Sequence, residues 1–193
     1  QITRFGDHRF KDGSLVIPGE VRYNPKLNYI KLSGYALGSN SLSYLEGKTL
    51  SANVDGTGVA GIVVTTVASN GVDPDTVIVA YVAGDENSAA TGTGKTFAAG
   101  QTLYVVGEAA LTVTVLGGST ATGKSAVANI QKGVYYLNGY FVYVEEQMAV
   151  LGKYLTDIGN LSCKVGLQYT ESVVTPELDS SLYDNASNTT NFT

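Results

Sequence analysis

"GVYYLNGYFVYV", residues 133–144, places an Asn-Gly pair between two runs of aromatic and β-branched residues. A two-residue turn of type I′ needs positive φ at both of its central positions, and Asn-Gly is the pair that tolerates this best. The stretch therefore predicts an antiparallel hairpin with Leu137 opposite Tyr140, Tyr136 opposite Phe141 and Tyr135 opposite Val142. Side chains alternate along a strand. Tyr135, Leu137, Tyr140 and Val142 then share one face, and Val134, Tyr136, Phe141 and Tyr143 the other. Both faces are apolar, whereas an antiparallel hairpin usually leaves one face wet. The hairpin is expected to lie between two layers or between subunits, with Tyr135, Leu137, Tyr140, Phe141 and Val142 as candidate subunit contacts.

Upstream, residues 34–130 lose charge and gain Gly, Ser, Thr and Ala. Strand-like runs recur there at about the 8–12-residue spacing of sandwiches and small barrels: "GKTLSANV", "AGIVVTTVAS", "DTVIVAYVA", "QTLYVVG" and "ALTVTVL". Between them lie "DGTG", "NGVDPD", "GDENSAATGTG" and "GGSTATG", all rich in turn formers. Residues 1–33 read as short strands punctuated by "KDGS", Pro18-Gly19 and "YNP". The expected class is all-β, several small antiparallel modules of sandwich or barrel type with an extended C-terminal segment. The texture suggests attachment strands at 1–33, an inserted β module at 34–130, a Tyr-rich hairpin region at 131–170 continuing the N-terminal domain, and an extended linker at 171–193. Within the third part, "EEQMAVLGKYL" suits a short helix, while "LSCKVGLQYTES" alternates as a strand does.

Composition narrows the function classes. The chain has 193 residues, 44% of them hydrophobic, which is a globular balance and enough for a core. No apolar run reaches the roughly 18–20 residues of a membrane helix, so no membrane partner is expected. The net charge of −5 argues against general nucleic-acid binding. Charge is uneven: residues 1–33 carry six Lys/Arg against three Asp/Glu, and the remainder six against fourteen. The single Cys163 permits no internal disulfide and is expected to be a buried free thiol.

The sharpest chemical motif is "GGSTATGKSAVANI", residues 117–130, in which Gly118, four residues and then Gly123-Lys124-Ser125 match the phosphate-cradling loop. Such a loop must open a substantial helix whose N-terminal amides hold the phosphates. Here the Tyr hairpin begins eight residues after Ser125, and "GTGKT" at 92–96 nearly repeats the pattern. A glycine-rich turn is the expectation, with no nucleotide and no cofactor. His8 lies between Asp7 and Arg9 with no nucleophile motif to serve. Asp73 and Asp75 flank Pro74 as a turn does, and Asp85-Glu86-Asn87 lacks calcium-loop spacing. Asn160, Asn185, Asn188 and Asn191 fit the glycosylation pattern, relevant in a secreted eukaryotic chain. No catalytic constellation and no metal site emerges, and no enzyme is expected.

The C-terminal third carries a resemblance. "SAVANIQKGVYYLNGYFVYVEEQMAVLGKY" and "CKVGLQYTESVVTPELDSSLYDNAS" contain I-Q-x-G-V-Y-Y at 130–136, N-G-Y-F-V at 138–142, K-V-G-L at 164–167 and E-S-x-V-T-P-E-x-D-x-S-L at 171–182. These resemble tailed-bacteriophage virion proteins of the tail-fibre or baseplate-associated kind, notably of cyanophages and phages of proteobacteria. "FKDGSLVIPGEVRYNP" near the start fits less specifically, and the middle of the chain has no counterpart. The resemblance implies a structural role in the phage tail and no catalytic residues. It implies the proximal part of a homotrimeric fibre that attaches to the baseplate or another tail protein, supports host recognition and continues into further β domains. The alternative expectation is a baseplate or fibre-adaptor protein whose middle module binds a host glycan or another virion protein.

Overall fold

The computed structural model describes residues 9–56, 58–83, 96–155 and 161–182. The strands are β1 (Ser14–Ile17), β2 (Val21–Ala36), β3 (Thr49–Ser51), β4 (Ala60–Val67), β5 (Thr76–Ala83), β6 (Thr102–Val105), β7 (Glu108–Val115), β8 (Thr122–Ile130), β9 (Gly133–Leu137), β10 (Tyr140–Val144) and β11 (Gln147–Leu155). Two short 3-10 turns, Leu42–Leu45 and Ser180–Leu182, lie between and after the strands. The all-β class is as the sequence predicts, and no described helix is long and apolar enough to cross a membrane.

Six strands close into an antiparallel barrel in the order β2-β5-β4-β3-β6-β7, with β7 returning to β2. The five strand-like runs of the middle region supply β3 to β7, and β2 supplies the sixth wall. Ile30, Leu32, Leu50, Val63, Val77, Val79, Leu103, Val105, Val113 and Val115 fill the barrel, joined by Leu42, Leu45 and Phe97 from the connections. Val77, Ile78 and Val79 are all fully buried, although neighbouring strand residues must face opposite sides. Ile78 packs outside the barrel with Leu27, Tyr29 and Val127, beneath Val150 and Tyr154 of β11. The β5 wall is covered on both faces, which explains its unbroken apolar run.

β2 joins two assemblies. Residues Val21–Ile30 pair with β8 along one edge, Leu32–Ala36 pair with β7, and Asn28–Lys31 pair with β5. Pro25 lacks the N–H a ladder needs. It sits where the β2–β8 register slips between Asn24 and Leu27, and the Asn24 side chain takes the Lys26 amide at 3.0 Å. A bulge thus carries one strand through a proline.

A second sheet, β1-β9-β10, repeats the order of β2-β8-β11. The connections β1–β2, β8–β9 and β10–β11 are short, at 18–20, 131–132 and 145–146, so a three-stranded ribbon continues from one sheet into the other across a crease. At the crease the Gln131 amide donates to the Glu20 carbonyl at 3.0 Å. A Cβ on Gly19 would lie 2.2 Å from the Gln131 carbonyl oxygen, and one on Gly133 2.9 Å from that of Ile17. The backbones pass where only glycine fits.

Three expectations need correction. A boundary at 33/34 cuts through β2, and residues 1–163 form one compact unit, with 164–193 the other. The loss of charge after residue 33 marks entry into barrel wall, not a new domain. The stretch "EEQMAVLGKYL" is no helix: Gln147–Leu155 is β11, held by β8, with Val150 and Tyr154 packed against the outer cluster. Finally, residues 161–175 belong to no strand, helix or turn despite their alternation.

The hairpin register is as expected: Tyr140 faces Leu137, Phe141 faces Tyr136, and Val142 faces Tyr135. Asn138 has φ 46° and Gly139 φ 88°, as a type I′ turn requires, and the Asn138 amide is held by Asp12 Oδ1 at 2.7 Å. Gly139→Val forces a β-branched side chain into left-handed backbone at a cost of about 1–3 kcal/mol. The expected drop in melting temperature is roughly 2–12 °C; an unchanged melt means that the turn has another form.

Candidate functional site

The hairpin is one sheet's core and its surface. β1 pairs with β9, setting Leu15 opposite Tyr135 and Ser14 opposite Tyr136. On one face Phe10 covers Tyr136 and Phe141, its ring centroid 5.9 Å from each, and Tyr136 is 2% exposed. Edge-to-face and tilted pairs of this kind stabilise beyond their buried area. Phe141 belongs to this face and is itself partly exposed. The other face carries the row Leu15–Tyr135–Val142 and the row Leu137–Tyr140, and there Tyr140 is 65% exposed. Four of the five candidate contact residues therefore share one half-open face, and Phe141 lies behind them.

The phosphate-loop pattern is strand. Gly118 turns with φ 98°, and Gly123, Lys124 and Ser125 already lie in β8. A Cβ on Gly123 would strike the Tyr29 ring at 2.6 Å. Ser125, where a phosphate loop keeps its magnesium ligand, is fully buried and donates its hydroxyl to the Gly152 carbonyl at 2.8 Å. Extended backbone cannot converge its amides on a phosphate as a helix N-terminus does. Ser125→Ala removes the hydroxyl that this carbonyl accepts, an expected loss of about 0.5–1.5 kcal/mol. ATP or GTP with magnesium is expected to leave the melt unchanged, since ligand at a hundredfold its Kd adds about 2.7 kcal/mol of stability. A magnesium-dependent rise in melting temperature overturns this assignment.

Asp73 and Asp75 serve a turn. Asp75 Oδ1 takes the Ser69 amide at 2.8 Å, the Asp73 carbonyl takes the Ser69 hydroxyl at 2.8 Å, and Asp73 Oδ2 meets Lys153 Nζ at 3.4 Å. Among the described residues no three His, Cys, Asp or Glu gather where they could hold a metal ion. Arg9 is exposed, and Cys163, expected to be a buried thiol, is exposed as well. His8, Asp7, Asp85-Glu86-Asn87, Asn160, Asn185, Asn188 and Asn191 lie outside the described residues, as does all of "GTGKT" except Thr96.

Two clusters were not visible in the sequence. Tyr44 and Lys48 both bond the Glu108 carboxylate, at 2.7 and 2.8 Å, clipping the 3-10 turn to the β6–β7 hairpin. The hydrogen bond from Lys48, and then that from Tyr44, hold the Glu108 carboxyl below its usual range, while Glu108 raises Lys48. On the outer wall Tyr29 and Tyr154 meet edge to face at 4.8 Å, with Lys31 Nζ 4.0 Å from the Tyr154 ring centre. Burial and then the neighbouring Tyr154 push the Tyr29 hydroxyl's pKa up. Both clusters bind one element to another. Neither pairs an activated nucleophile with a base.

No family model matches the chain, and no curated protein or solved structure matches it.

Proposed function

We propose that this chain is a structural part of a bacteriophage tail, the proximal part of a homotrimeric fibre that docks on the baseplate and supports host recognition. The observation that carries the reading is the set of motifs at 130–142 and 164–182 that resemble tail-fibre and baseplate-associated proteins. The architecture is compatible with such a role: interstrand ladders and a filled barrel share load over many bonds. The half-open face of Tyr135, Leu137, Tyr140 and Val142 offers one sequence the means to cover itself around a symmetry axis.

Sedimentation of the purified chain tests the assembly, with the mass of three chains expected at micromolar concentration. Chemical cross-linking in assembled virions tests the location, with baseplate proteins expected as neighbours of the N-terminal end. A monomer removes the fibre reading; cross-links solely to capsid proteins remove the tail.

A further inference from the structure

Two Asn-Gly pairs occur in the chain, Asn70-Gly71 and Asn138-Gly139. Such a pair carries a reaction of its own. The glycine's backbone nitrogen can attack the asparagine's Cγ, because no Cβ on the glycine stands in the way. The fold treats the two pairs differently. In the type I′ turn between β9 and β10, left-handed backbone at Asn138, φ 46°, sets the Gly139 nitrogen nearly anti to the Asn138 Cβ. The pairs Leu137–Tyr140 and Tyr136–Phe141 and the bond from the Asn138 amide to Asp12 hold that geometry. Closing a five-membered ring there requires the hairpin to open.

Asn70-Gly71 lies in the connection from β4 to β5, where both residues are exposed and water reaches them. Asn70 Oδ1 accepts from the Val72 amide at 3.0 Å and from the Asp73 amide at 2.7 Å. A side-chain carbonyl bound in this way takes the place of the backbone carbonyl that opens a β-turn. The carboxamide is thereby folded forward over the Gly71 peptide, with Cγ and the Gly71 nitrogen inside one hydrogen-bonded ring. The two donors lie at the separation that stabilises an oxyanion, about 2.7–3.1 Å. The Gly71 N–H points to Ser69 Oγ at 3.2 Å, and that hydroxyl has committed its own proton to the Asp73 carbonyl at 2.8 Å. Its lone pairs are left to draw on the Gly71 proton.

We propose that Asn70 is a self-modification site, at which the folded chain converts asparagine to aspartate and isoaspartate. The Gly71 nitrogen bonds to Asn70 Cγ as its proton passes to hydroxide beside Ser69 Oγ. Negative charge collects on Oδ1 between the Val72 and Asp73 amides. That charge returns to Cγ, the Cγ–Nδ2 bond breaks, and Nδ2 takes a proton from water and leaves as ammonia. A water molecule then opens the succinimide. Cleavage at Cγ restores the main chain with an aspartate at position 70, and cleavage at the main-chain carbonyl leaves an isoaspartyl link. Water and hydroxide are the only other reactants, and the site is independent of the role proposed above.

Peptide mapping of the full-length chain, aged in mildly alkaline buffer either native or unfolded in guanidinium chloride, tests the assignment. Each conversion replaces an amide by an acid and releases ammonia, and an isoaspartyl methyltransferase labels the isoaspartyl product. Unfolded, the two pairs should convert at similar rates. Native, Asn70 should convert at least as fast as it does unfolded, and Asn138 should nearly stop. Ser69→Ala should slow the native Asn70 conversion by about 2–10-fold, the value of one hydrogen bond, and leave the unfolded rate unchanged. Slower conversion of Asn70 in the native chain than in the unfolded one overturns the proposal, since the Val72 and Asp73 amides then guard the side chain instead of activating it. Equal native rates at Asn70 and Asn138 overturn it too, as does a native Ser69→Ala chain that keeps the full rate.

Discussion

Gly19→Ala is expected to lower stability by about 3 kcal/mol, the upper end of what overpacking costs. At this chain length that is a fall of roughly 6–12 °C in melting temperature. The added Cβ would stand 2.2 Å from the Gln131 carbonyl oxygen and 2.9 Å from that of Lys132. Both contacts are backbone, with no flexible side-chain end to move aside. Relief requires the β1–β2 and β8–β9 connections to separate, which breaks the bond from the Gln131 amide to Glu20. Gly34→Ala is the control: it lies in β2, its added Cβ meets nothing within 4 Å, and the melt should hardly move. Equal effects of the two substitutions would mean that the crease is looser than described.

Phe97→Ala is expected to cost about 3–5 kcal/mol, as loss of a fully buried aromatic does. Phe97 is 1% exposed among the barrel residues, its ring centre lies 5.2 Å from that of Tyr81, and its amide donates to Tyr81 Oη at 3.0 Å. Burial pushes the Tyr81 hydroxyl up to about 12, partly offset by that amide. The unfolded chain releases the proton near pH 10 and the folded chain near 12, so stability is complete below pH 10 and falls between the two. The fall is of order 2–3 kcal/mol. Denaturant unfolding from pH 9 to 12 should show this slope in the native chain and lose it in Tyr81→Phe. An equal alkaline loss in both would assign the titration to another tyrosine.

Local chemistry explains which parts of this architecture are legible in the amino-acid sequence. Asn138-Gly139 fixes the hairpin because a two-residue turn admits few partners, and its register follows residue by residue. β4, β5 and β7 are legible because β-branched runs end at glycine-rich turns. The continuity of β2 is not legible, since Pro25 reads as a stop unless a bulge absorbs it. β11 resembles a helix because both of its faces carry apolar residues and because its register shifts between Val150 and Gly152 and between Gly152 and Leu155, which breaks the alternation of a regular strand. The run from Leu161 to Tyr169 has alternation without a ladder, because pattern states what a segment can pair with and not whether a partner is at hand. Phe97 was hidden for a simpler reason: a single aromatic in "KTFAAG" has no periodicity, and its role as a barrel plug exists only once six strands close around it. Of the candidate contact residues, the face shared by Tyr135, Leu137, Tyr140 and Val142 was legible, but not that Phe10 would cover its reverse.

One strand, β2, is a stave of the barrel at Asn28–Ala36 and a member of the bent ribbon at Val21–Ile30. Texture divides the molecule there, but cooperativity cannot. Opening the ribbon strips β8 from the segment that also closes the barrel, and opening the barrel frees the strand on which β8 and β11 are built. The barrel and the ribbon are therefore a single foldon: the amides of Leu27 to Leu32 should exchange with solvent only through global unfolding, together and last.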